Sequence, residues 1–107
     1  MIRGILKGMA PAAVLAFVAA PAAAQSAAPA KMGMCIGCHG ENGLGRMPDV
    51  PHLAGQPVMY LREQLQNFRS GKRPSAVMGV VSKELTDAEI AELAGFFASI
   101  EIQAKAP

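Results

Sequence analysis

At 107 residues, with ten Lys/Arg, eight Asp/Glu and two His, the chain carries a formal charge of +2 and has room for one domain. It has neither a long basic run nor basic residues interleaved with aromatics, which argues against a nucleic-acid partner. The opening segment removes even the small positive excess. Arg3 and Lys7 form a basic n-region, Ala10 to Ala20 an apolar h-region, and Ala22-Ala23-Ala24 an A-x-A cleavage site. Residues 1–24 are therefore expected to be a signal peptide, cleaved near Ala24, with residues 25–107 as the exported domain. The apolar stretch is shorter than the roughly 20 residues of a spanning helix, so no membrane anchor is expected after cleavage. Both charges lost are basic, which leaves eight Lys/Arg against eight Asp/Glu. So short a domain buries a thin core and usually needs a staple.

Residues 25–31 read as a small, polar lead. A short helix is predicted from about Ala28 or Ala30, with Pro29 in its first turn. It runs into Cys35-Ile36-Gly37-Cys38-His39, the Cys-x-x-Cys-His signature of covalent haem attachment. Each residue type has a chemical task there. Two thiols at this spacing can add to the two vinyl groups of one haem, and the adjoining imidazole can bind the iron. No other cysteine competes for the pair. A thioredoxin-like redox pair would call for a βαβ pattern, which is missing. Zinc would need four N/S ligands, and the chain offers one further histidine, His52, and no second cysteine pair.

Gly40 to Gly55, with Gly43, Gly45, Pro48 and Pro51, reads as a loop with turns. Gln56 to Ser70 is predicted helical, with Pro57 in its first turn and Gly71 at its stop. Leu61, Leu65 and Phe68 recur on one face, and Tyr60 and Gln64 form a second stripe. Lys72 to Ser75 is a polar turn, and Ala76 to Lys83 an irregular segment containing Met78. Thr86-Asp87-Ala88-Glu89 is a capping box, with Leu85 and Ile90 placed as a hydrophobic staple. Ile90, Leu93, Ala94, Phe97 and Ile100 form the apolar face of a last helix ending near Ile100 to Ile102. The sequence carries neither repeats nor strand patterns.

Haem iron held by one histidine leaves a position for a second ligand, and thioether sulfur suits a raised potential. Met32 and Met34 lie too close to Cys35, Met47 is only eight residues from His39, and Met59 falls inside a helix. Met78 follows a long excursion of chain. Methionine is more commonly core filler, but beside the haem signature Met78 is read as the sixth ligand. His52 reads as a loop histidine flanked by prolines, the alternative being a ligand or a partner to a propionate at the haem surface. Arg46, Arg62, Arg69, Lys72 and Arg73 read as a solvated face that can also meet a propionate or guide a partner.

These residues together resemble the class I mono-haem cytochromes c, in particular the small soluble bacterial type. The resemblance rests on Cys35-x-x-Cys38-His39-Gly40, Pro51-His52-Leu53-Ala54-Gly55-Gln56, Tyr60-Leu61, Gln64-Leu65 and Phe68. It continues through Met78, Leu85-Thr86-Asp87, Ile90-Ala91 and Phe96-Phe97-Ala98. It implies an all-α fold of about three main helices and loops wrapped around one covalent haem c. It also implies attachment through Cys35 and Cys38, His39/Met78 iron ligation, and a Pro51 carbonyl offered to the other nitrogen of His39. The implied function is electron transfer in a bacterial periplasm between a redox donor and acceptor, such as a dehydrogenase or terminal oxidase, with no catalysis by the chain itself. The alternative is the cytochrome subunit of a dehydrogenase, such as a flavocytochrome c sulfide dehydrogenase, to which Ser70 to Pro74 and Val77-Met78-Gly79 are also similar. A ligand-binding or peroxidase haem protein would need an open sixth position.

Overall fold

In the computed structural model, which describes residues 1, 4, 8–20 and 27–107, the Cys motif lies on a short helix, α1 (Gly33–His39). It starts later than its sequence suggests. Pro29 does not enter it; its carbonyl instead closes a turn with the Met32 amide at 3.0 Å. No side chain caps the start of α1. Its end is set by Gly40, whose φ of 81° suits glycine alone. Within the expected signal segment, residues 8–20 are exposed and without regular structure, while Arg3, Lys7 and Ala22 to Ala24 lie outside the described residues. No helix among the described residues is long and apolar enough to cross a membrane.

Three further helices follow: α2 (Val58–Ser70), α3 (Ala76–Lys83) and α4 (Asp87–Ser99). There is no strand among the described residues, so the all-α expectation is met, with one helix more than the three anticipated. The addition is α3. Its sequence, with Gly79 and three valines, has poor intrinsic helix propensity. Two things form it nonetheless: Ser75 caps it, accepting from the Met78 amide at 3.0 Å, and it packs against α2. The tertiary contact outweighs the local preference.

Both longer helices begin and end close to where the sequence places them. Pro57 is the N-cap of α2 rather than part of its first turn, and Gly71, at φ 81°, closes it. The reciprocal Thr86/Glu89 capping box opens α4, and Leu85 and Ile90 are both buried, as the staple requires. Removing the Thr86 hydroxyl leaves the Glu89 amide without that acceptor. Thr86→Ala is expected to cost about 1 kcal/mol and to lower the melting midpoint by about 4–8 °C in a domain of this size. Thermal melts of the haem-loaded protein check it.

Leu61, Leu85, Ile90, Leu93, Ala94 and Phe97 form the core, against which Met32 and Cys35 of the α1 region also pack. Arg69 fastens α2 to the start of α4, donating to the Leu85 carbonyl at 3.1 Å and to the Asp87 carboxylate. The long loop between α1 and α2 is tied to itself at Gly43, whose carbonyl accepts from Leu53 at 2.7 Å and Ala54 at 3.1 Å. Gly43 has φ 73°, and a Cβ there would meet Ala54 N at 2.9 Å and the Phe97 ring at 3.1 Å. Glycine is required on both grounds.

Candidate functional site

Helical geometry gathers the Cys motif. Positions i, i+3 and i+4 share one face, so Cys35, Cys38 and His39 are neighbours on α1. All three line a single cavity of about 510 Å³. Leu61, Leu65, Phe68, Leu93 and Phe97 supply apolar wall, and Met78 adds a thioether from α3. The four residues singled out in the sequence thus come to one cavity from two elements, although His39 and Met78 are 39 positions apart in the chain.

The imidazole of His39 is 8 % exposed, and its Nδ1 lies 2.9 Å from the Pro51 carbonyl oxygen. A carbonyl only accepts, so Nδ1 carries the hydrogen and Nε2 keeps its lone pair. That is the tautomer in which a histidine binds metal, with the second nitrogen fixing ring orientation and basicity. Cys35 is half-buried and Cys38 exposed, and neither is bridged. Burial pushes the Cys35 thiol up from its ordinary range, so it stays protonated near neutral pH.

Met78 is half-buried, and its backbone is held by the Ser75 hydroxyl. Met34 and Met47 also reach the cavity wall but are more exposed; Met32 and Met59 are not part of the wall. Polar groups on the wall include Tyr60, Gln64 and Arg73. Arg73 is not a free surface cation: it donates to Gln64 Oε1 at 2.8 Å and lies 4.6 Å over the Phe68 ring. His52, read from the sequence first as a loop histidine and otherwise as a haem-surface residue, lines the cavity and accepts a hydrogen bond from the Gly45 amide at 2.7 Å. No periodicity or motif pointed to these last two contacts.

Two thiols, an imidazole with a free lone pair, a thioether and broad apolar walls fit a covalently held haem. The cavity also explains the small core: among the described residues seven apolar side chains are buried, and the cavity lies against several of them.

Comparison with known proteins agrees with this architecture. Residues 23–101 match the cytochrome c family. Cytochrome c-554(548) of Halomonas halodenitrificans is 36 % identical over 74 residues, covering 66 % of this chain and 89 % of that protein. The thiosulfate dehydrogenase electron acceptor of Thiomonas intermedia is 40 % identical over 90 residues, covering 83 % of this chain but 41 % of its own length. The solved cytochrome c4 of Acidithiobacillus ferrooxidans superposes with a TM-score of 0.58 at 37 % identity, over 61 % of this chain and 37 % of that one. The chain therefore spans about two fifths of the length of several relatives that it matches. It belongs to the cytochrome c family, which makes it an electron-transfer haem protein.

Proposed function

We propose that the chain is a periplasmic carrier of one electron on a single covalent haem c. Residues 1–24 are its export signal and residues 25–107 its working domain. The observation that carries the reading is the convergence of Cys35, Cys38, His39 and Met78 on one apolar cavity. In this reading Cys35 and Cys38 would hold the haem covalently, and His39 and Met78 would bind its iron.

The haem supplies the one-electron redox couple. The protein holds it, sets its potential and limits water access. His39 presents Nε2 in a fixed orientation because Nδ1 is spent on Pro51. Met78 presents a soft sulfur that favours the reduced metal. His39 and Met78 together would hold the iron from the protein side, a donor pair suited to relaying electrons. The likeness to the electron acceptor of thiosulfate dehydrogenase supports a dehydrogenase of that kind as donor.

The covalent link is checked by acid-acetone extraction of the protein purified from an exporting host. Axial bonds break under that treatment and thioether bonds do not. Haem is expected to stay with the polypeptide in the wild type and to be released when Cys35 and Cys38 are both replaced by alanine. Haem that extracts freely from the wild type would overturn the assignment.

A further inference from the structure

The hydrogen bond from His39 to Pro51 needs something to hold Pro51 still. Proline has no N–H, so its own residue cannot be tied down by a backbone donor. The loop limbs carrying Gly45 and Pro51 lie against each other: a Cβ on Gly45 would collide with the Val50 carbonyl and sit 3.2 Å from the Pro51 oxygen. That oxygen is the one facing His39. Further back the limbs are tied by backbone hydrogen bonds at Gly43, and the Arg46 amide reaches the Cys38 carbonyl at 3.2 Å. At Gly45 the tie is a side chain. The Gly45 amide donates to His52 Nδ1 at 2.7 Å, and His52 follows Pro51 directly. Because the amide must donate, Nδ1 of His52 keeps its lone pair and any ring hydrogen of the neutral form sits on Nε2.

We propose that His52 is a positioning residue for the haem ligand: its ring pins Gly45 against the Val50–Pro51 peptide and so holds the Pro51 carbonyl on His39 Nδ1. The inference rests on His39 being the axial histidine. It assigns a role to a residue outside the set of Cys35, Cys38, His39 and Met78. Asparagine places an acceptor oxygen the same number of bonds from the backbone as His52 Nδ1, so it is the conservative replacement. Alanine has no acceptor.

The test uses the reduced, diamagnetic holoprotein in NMR, with the potential measured in parallel. In the wild type, His39 is expected to show haem-shifted ring resonances and slow exchange of its Nδ1–H, with a protected Gly45 amide. In His52→Ala, exchange at both sites should accelerate about fivefold or more, the effect of losing about one net hydrogen bond. The potential should rise, because a less firmly hydrogen-bonded imidazole is a less basic ligand. His52→Asn should restore both. Gly45→Ala keeps the His52 acceptor but crowds the Pro51 carbonyl, and should reproduce the His39 change. The proposal is overturned if His52→Ala leaves His39 exchange and potential at wild-type values, if His52→Asn behaves like His52→Ala, or if Gly45→Ala leaves His39 unaffected. Failure of the ligand reading looks different: the wild type itself would lack haem-shifted His39 signals.

Discussion

Met78→Ala is expected to keep its haem and lose its high potential. Cys35, Cys38 and His39 are untouched, so attachment proceeds. What disappears is the thioether that the Ser75 cap holds on the cavity wall. Thioether ligation favours reduced iron. Its loss should lower the midpoint by on the order of 0.1 V or more, within the roughly 0.8 V range that axial ligands command. The weak near-infrared sulfur-to-iron band of the oxidised protein should vanish, and the reduced protein should bind carbon monoxide at the opened position. Redox titration and the two spectra read out all three effects. Persistence of the sulfur band would move the ligand to another methionine on the wall, Met47 or Met34, and each would then be replaced in turn.

Without haem the domain is expected not to fold. A cavity of about 510 Å³ opens against Leu61, Leu93, Ala94 and Phe97, four of the seven buried apolar side chains among the described residues. Without the haem those side chains face water instead of an apolar partner, and so short a domain has little other core to hold it together. Chain produced in a haem-starved host, and showing no Soret absorbance, should give collapsed amide dispersion and no cooperative melt. α2 and α4 should fare best in residual helix content, since each is 13 residues long and α4 carries its own capping box. A dispersed amide spectrum from verified haem-free protein would contradict this and would mean that the cavity closes on itself.

The elements that were legible share a property: their signals are local. The Thr86/Glu89 box, the Gly71 stop and the apolar face of α4 are specified by residues within a turn or two of one another. The same holds for Cys35, Cys38 and His39, which are on one helical face by spacing alone. The irregular reading of Ala76 to Lys83 missed a helix, because its valines and Gly79 argue locally against what packing on α2 favours. The Ser75 cap was the available clue, and a lone serine after proline is a weak one.

The shared face of Cys35, Cys38 and His39 and the order of the main helices were thus legible in the sequence, because thiol spacing and capping act over a few residues. Tertiary structure decided the rest. It brought Met78 to the cavity that holds His39, turned Arg73 from a surface charge into a clamp on Gln64 and Phe68, and gave His52 a partner seven residues back at Gly45. Each of these depends on how a loop closes or how two helices cross. No pattern in a linear sequence encodes such distances, since they are fixed when buried side chains and backbone donors find partners in three dimensions.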